Sequence, residues 1–190
     1  MTLANNMKKS KHIIIVLIFV IISIGLLFGI DLIKKLKEKP VSGVFAKNEL
    51  LYKDGSNKPF TGTVKDTVEN NIMEYNVVNG IKSGKFRLYT DRDHLAISGE
   101  LKNNRNNGIW TYYYPSGKIE STGTFKDDII IGKWIFYYED GTIKEEGFYT
   151  MGERDGKWVT YNEKGIIQSQ VTFEKGKAIC EIKTERFVTT

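Results

Sequence analysis

Cysteine, histidine and proline are scarce in this 190-residue chain, and an excess of charge is missing from most of it. Cys180 is the only cysteine, so no intramolecular disulfide forms and no thiolate zinc site can be assembled. Its setting, Ile179-Cys180-Glu181-Ile182, alternates like a strand, and a lone cysteine there reads as a small apolar residue. The two histidines, His12 and His94, stand without neighbouring metal ligands or triad partners, so neither a metal nor a cofactor is expected. The formal charge of +5 lies wholly in residues 1–40, which hold seven lysines against Asp31 and Glu38. Residues 41–190 are balanced, and a balanced surface gives no bulk attraction for nucleic acid. Gly80, Gly84, Gly132 and Gly156 form no phosphate cradle, because no glycine-rich run leads into a helix bearing Lys-Ser/Thr.

There is one long hydrophobic run. Ile13–Ile30 is uncharged and almost wholly apolar. As a helix it would span roughly 27 Å, close to the hydrocarbon core of a bilayer. The run is longer than the apolar region of a cleaved signal peptide, and Gly29-Ile30-Asp31 is a poor cleavage site. The expectation is a basic tail (1–12), a single-pass signal anchor (13–33), a linker (34–49) carrying Pro40, a repeat domain (50–183) and a tail (184–190). A short tail before an early anchor is the usual arrangement of a signal anchor, so the repeats are expected outside the cytoplasm, and the richness in Ile, Lys and Asn suits a bacterial cell; secretion after cleavage near residue 30 is the alternative.

Beyond the linker the chain is periodic. Gly108-Ile109-Trp110-Thr111-Tyr112-Tyr113 recurs as Gly132-Lys133-Trp134-Ile135-Phe136-Tyr137 and Gly156-Lys157-Trp158-Val159-Thr160-Tyr161, in steps of 24 residues. A degenerate copy, Gly84-Lys85-Phe86-Arg87-Leu88-Tyr89, stands one step upstream. The turn glycines Gly117, Gly141 and Gly165 keep the step, and so do Gly99, Gly123 and Gly147. A fixed period of this size marks a repeat array, and the alternation around each turn marks β-hairpins. The fold class is therefore all-β: an elongated, twisted antiparallel sheet of about ten strands in stacked hairpins, following one membrane helix.

Two-residue turns at Ser116-Gly117 and Asp140-Gly141 fix a register in which Trp110 faces Gly123 and Trp134 faces Gly147; the same count pairs Phe86 with Gly99. Each indole is then expected to lie over the bare backbone of its own hairpin partner. Trp158 faces Val171 instead, so that ring is expected to sit differently. Alternation puts Trp110, Tyr112 and Tyr114 on one face and Thr111 and Tyr113 on the other, with Trp134, Phe136 and Tyr138 against Ile135 and Tyr137 in the next copy.

Two readings of these aromatics stand side by side. Trp110, Tyr112, Tyr113, Trp134, Phe136, Tyr137, Trp158 and Tyr161 either join neighbouring hairpins or leave an open groove for a protein or glycan. The acidic pairs Asp127-Asp128 and Glu145-Glu146 suit no general acid/base role, since adjacent strand residues point to opposite faces. The chain reads as a non-enzymatic protein that binds another protein, and its open terminal strands are available for pairing between chains.

The motif Gly-Lys-Trp-x-x-Tyr-Tyr, followed by Asp-Gly-x-Ile-Lys-x-x-Gly, resembles the bacterial MORN-repeat variant family, the YwqK-type antitoxins, over about Tyr52–Lys177. Tyr52-Lys53-Asp54-Gly55 and Pro59-Phe60-Thr61-Gly62 are similar to that family's opening unit. The resemblance implies an elongated hairpin sheet, scaffolding or membrane association, and, through the antitoxin label, neutralisation of a toxin by direct binding.

Overall fold

The computed structural model describes residues 43–90 and 93–183. The expected tail 1–12, the span 13–33, residues 34–42 of the linker and the tail 184–190 lie outside the described residues. Thirteen strands and no helix occupy the described residues. β1 (Val44–Lys47) and β2 (Leu50–Lys53) form a small hairpin. Eleven strands then form one antiparallel sheet in strict chain order. They are β3 (Gly62–Val68), β4 (Asn71–Val78), β5 (Ile81–Tyr89), β6 (Leu95–Lys102), β7 (Arg105–Tyr113), β8 (Ile119–Lys126), β9 (Ile129–Tyr137), β10 (Ile143–Thr150), β11 (Glu153–Tyr161), β12 (Ile167–Glu174) and β13 (Lys177–Lys183). Strand pairing begins at Val44, so β1 falls inside the stretch 34–49 expected as linker: Val44 is buried and pairs with Lys53.

Two kinds of turn alternate along the array. At one edge the turns have two residues, both at positive φ: Asn103-Asn104 (52° and 65°), Asp127-Asp128 (50° and 71°), Met151-Gly152 (52° and 88°) and Lys175-Gly176 (48° and 76°). This left-handed pair matches the twist of the flanking strands and favours Asn, Asp and Gly. At the other edge the turns are one residue longer than the sequence count supposed. Tyr114 N–H donates to the Lys118 carbonyl and Gly117 N–H to the Tyr114 carbonyl, both at 2.8 Å, which leaves the three residues Pro115-Ser116-Gly117 in the loop. The Tyr138–Thr142 and Asn162–Ile166 loops close in the same way.

The register nevertheless comes out as counted, with Trp110 opposite Gly123, Trp134 opposite Gly147, Phe86 opposite Gly99 and Trp158 opposite Val171. A bulge just past each loop removes the extra residue: Tyr113 pairs with Ile119, but Tyr112 pairs with Ser121, and Glu120 drops out of the ladder.

A second bulge joins one hairpin to the next. Thr122 pairs with Ile135 and Thr124 with Ile131, so Gly123 stands against three residues, Gly132-Lys133-Trp134. The same irregularity sets Gly99 against Gly108–Trp110 and Gly147 against Gly156–Trp158. Gly108, Gly132 and Gly156 lie in the bulge at φ of 73°, 68° and 68°, a conformation that penalises a side chain. The repeat-opening glycine is a backbone requirement.

The sheet has no second layer among the described strands, and its core is the Trp-bearing face. Trp110, Trp134 and Trp158 are only 1%, 4% and 2% exposed, with Phe125, Leu101, Ile97, Val77 and Val64 buried alongside.

Candidate functional site

The aromatic residues marked by the repeat divide between the two faces. On the first face the rings form one continuous chain: Phe86–Trp110 (centroids 5.2 Å apart), Trp110–Phe125 (5.7 Å), Phe125–Trp134 (5.5 Å), Trp134–Tyr149 (6.0 Å), Tyr149–Trp158 (5.1 Å) and Trp158–Phe173 (6.3 Å). Most of these pairs meet edge to face, the arrangement the ring quadrupoles favour. Tyr112 and Phe136 flank Trp134 at 6.2 Å each and are half-buried. Burial pushes the Tyr112 hydroxyl well above the usual tyrosine range.

Each indole leans the opposite way from the expectation. Trp110 is registered with Gly123, but its ring lies over Gly99 on the preceding hairpin; Trp134 likewise covers Gly123, and Trp158 covers Gly147. A Cβ at any of these glycines would overlap the indole. The inter-hairpin bulge is the cause, since the three residues opposite one glycine carry the tryptophan onto it. The special seat expected for Trp158 is absent for the same reason: its ring covers Gly147 and sits like the other two, although Trp158 is registered with Val171. Trp110 Nε1 donates to the Glu100 carbonyl at 3.2 Å and Trp158 Nε1 to the Phe148 carbonyl at 3.1 Å, both on the preceding hairpin. Trp134 Nε1 is buried without a partner. The tryptophans are the joints between repeats.

At the β4–β5 joint Phe86 stands instead of tryptophan and pairs with the buried Tyr75, which occupies the step-related position of the socket glycines. Asn76 beside it fills the bulge: its Oδ1 accepts the Lys85 N–H at 2.8 Å and its Nδ2 donates to Thr63 Oγ1 at 3.0 Å.

The second face is mixed. Tyr89, Tyr113, Tyr137 and Tyr161 repeat along it, registered with Leu95, Ile119, Ile143 and Ile167. Cross-strand partners share a face, so the tyrosines alternate with aliphatic side chains in one band beside the three-residue loops. The four tyrosines are half-buried and Ile119 is 42% exposed. Tyr113 Oη lies 3.1 Å from Ser98 Oγ, and Tyr161 Oη donates to Glu146 at 3.0 Å; both partners belong to the preceding hairpin. Glu146 also takes Lys133 Nζ at 2.9 Å, and this donor holds its carboxyl below the ordinary range. Ile109 and Phe148 stand out on the same sheet, 68% and 54% exposed.

The acidic pairs are occupied with structure. Asp128 sits in a turn and accepts the Asn106 N–H at 2.7 Å. Glu145 meets Arg154 through two hydrogen bonds of 2.9 and 3.0 Å, and that guanidinium stacks over Trp158 at 3.9 Å. Glu145 and Glu146 thus serve different partners, as alternation requires. Among the described residues no three His, Cys, Asp or Glu side chains gather to hold a metal ion.

Residue identity alone did not single out several of these features. Ile119, Ile143 and Ile167 share the 24-residue step and were visible as a repeat, but their place beside the tyrosines depends on the loop bulge. The hydroxyls of Tyr114 and Tyr138 donate at 2.6 and 2.7 Å to the carbonyls of Tyr137 and Tyr161 on the following hairpin, a tie that no local pattern announces.

Hairpins joined by identical ring-on-glycine seats define a β-hairpin repeat protein. A family model described as the MORN repeat variant matches residues 106–127, 131–150 and 154–175, each stretch containing one of the three tryptophans. No curated protein matches the chain. Among solved structures, the chain is similar to S. aureus TarM, in a crystal structure of a mutant in complex with Fondaparinux, alpha-GlcNAc-glycerol and UDP. That likeness has 10% identity and a TM-score of 0.31, and it covers 64% of this chain and 21% of TarM. The chain thus spans about a fifth of TarM's length, and so distant a likeness carries no further argument.

Proposed function

We propose that this chain is a non-enzymatic, membrane-anchored repeat protein that binds another protein through the tyrosine band of its sheet. The observation that carries the reading is the regular alternation of Tyr113, Tyr137 and Tyr161 with Ile119, Ile143 and Ile167 on the face the tryptophans leave free. Tyrosines bury much area at little entropic cost, and a periodic band offers the same contact several times over. The tryptophans support this surface from behind by fixing the spacing of the hairpins. The apolar run Ile13–Ile30 supports the anchor, with the repeats outside the cytoplasm; cleavage and secretion is the alternative.

The test is capture from the cell of origin with the full chain as bait. A specific protein should be retained by the native chain and lost with Tyr113→Ala/Tyr137→Ala/Tyr161→Ala, while the tryptophan fluorescence of that variant stays native. Retention by the triple variant overturns the role of the band. A toxin is the narrower form of the same partner, in line with the resemblance to antitoxin-type arrays. Co-expression of the chain with its neighbouring gene product, and relief of toxicity, checks it. Intact mass of the native protein separates anchor from cleaved signal.

A further inference from the structure

The tyrosine band has a period, and a period selects what can lie along it. Tyr89, Tyr113, Tyr137 and Tyr161 stand on alternate strands, with Leu95, Ile119 and Ile143 on the strands between them. Each aliphatic side chain thus floors a gap between two tyrosines. Paired strands lie about 4.8 Å apart, so the gaps recur about every 9.6 Å. Twist does not splay the hairpins at this edge. The Tyr114 hydroxyl reaches the Tyr137 carbonyl at 2.6 Å and the Tyr138 hydroxyl the Tyr161 carbonyl at 2.7 Å, so one side chain bridges each hairpin to the next. Tyr113 and Tyr161 are also held in place by Ser98 and Glu146, which reduces the entropy lost when a partner arrives.

Three regular backbones can be set against that step. An extended strand puts side chains on one face about every 6.7 Å and is out of phase at the second gap. Two turns of α-helix advance about 10.8 Å and drift by about 1.2 Å per gap. A polyproline II helix advances about 9.3 Å in three residues, so every third side chain keeps phase to about 0.3 Å per gap. Aromatic-lined grooves take such segments, whose preformed backbone loses little entropy on docking.

Charge marks one gap. Glu139 and Asp140 are both exposed in the loop beside the Ile143 gap, and the Thr142 hydroxyl and N–H hold the Asp140 carboxyl below its ordinary range. The loop before it has Lys118 and no carboxylate, and in the loop after it Glu163 is offset by Lys164. The acidic spot therefore asks for a cation at one place along the band. The chain has only three prolines, Pro40, Pro59 and Pro115, so a second copy does not supply the segment.

We propose that the partner protein presents a proline-rich segment in the polyproline II conformation, laid across the strands with every third residue in a gap of the band and a basic residue toward Glu139 and Asp140. This inference rests on the band being the binding surface and names what lies on it.

The experiment is fluorescence anisotropy of a labelled nine-residue peptide of three Pro-Pro-Arg triplets, titrated with the full chain in a non-ionic detergent. Binding should be saturable, and Tyr113→Ala/Tyr137→Ala/Tyr161→Ala should weaken it by about tenfold or more. Glu139→Lys/Asp140→Asn leaves the band intact and should weaken it by about fivefold. A peptide with one glycine inserted after each triplet keeps the charge, loses the phase and should bind about tenfold more weakly. Near-ultraviolet dichroism of the buried tryptophans reports that each variant is folded. No binding to the native chain overturns the inference, as does equal affinity for the glycine-broken peptide or for three Pro-Pro-Glu triplets. Capture of a cellular protein through the band, with no affinity for the triplet peptide, sinks this inference and leaves the proposed function standing. A β-linked oligosaccharide bound at the same tyrosines, with no protein captured there, sinks both.

Discussion

Two sets of glycines repeat in this chain for different physical reasons, and substitution separates them. Gly123 has no Cβ because an indole occupies that space; Gly132 has none because its backbone sits at a φ of 68°, with open space around it. Gly123→Ala should therefore destabilise the fold by about 3 kcal/mol, since neither ring nor backbone can yield. Gly132→Ala should cost only about 1–2 kcal/mol of backbone strain. Equilibrium denaturation in urea of the two variants checks the order, and equal losses would refute the distinction. Tyr75 offers a second test at this scale. It is buried, and desolvation, followed by the nearby Asp66 charge, pushes its hydroxyl up to about 12. The fold thus favours the neutral phenol. Its contribution is complete below the ordinary tyrosine value near pH 10 and is lost as the pH rises toward 12. Stability measured across that range should fall less steeply for Tyr75→Phe than for the native chain.

At the scale of the element, each hairpin is tied to its neighbours in both directions. Tryptophan reaches back to a glycine on the preceding hairpin, and Tyr114 and Tyr138 reach forward to a carbonyl on the following one. Tyr138→Phe removes one forward tie and should cost about 1 kcal/mol. Amide exchange should rise in β11 and β12 and leave β5 and β6 unchanged. The strand order, the hairpin register and the pairing of Trp110 with Gly123 were legible in the sequence, because the 24-residue step and the turn glycines determine them. The direction of the indole was not. Register says which residues stand opposite, whereas the lean depends on a bulge between hairpins, and the signal for that bulge is a glycine that also suits a turn. The loop length escaped for a related reason: a longer loop and a bulge cancel in the count, so the wrong turn still gives the right partners. The proposed binding band was half-visible, as Tyr113, Tyr137 and Tyr161 without the isoleucines beside them.

At the scale of the whole sheet, the joints are interchangeable. Trp158 sits on Gly147 as Trp134 sits on Gly123, so a unit taken out between them should let the next tryptophan occupy the vacated seat. Deleting residues 132–155, one full period, should leave a folded protein with a smaller denaturant m-value, in proportion to the surface lost. Deleting residues 132–149 instead breaks the phase and should abolish cooperative unfolding.

Val171 stands where the next vacant socket would be, opposite Trp158 on β12, and β13 beyond it brings no ring. A side chain of ordinary size thereby acts as a full stop. A strand added after residue 171 still pairs with its neighbour, as β13 does with β12, but a tryptophan on it would find no bare backbone to cover. The run of ring-on-backbone joints thus ends where a methyl-bearing carbon takes up the space.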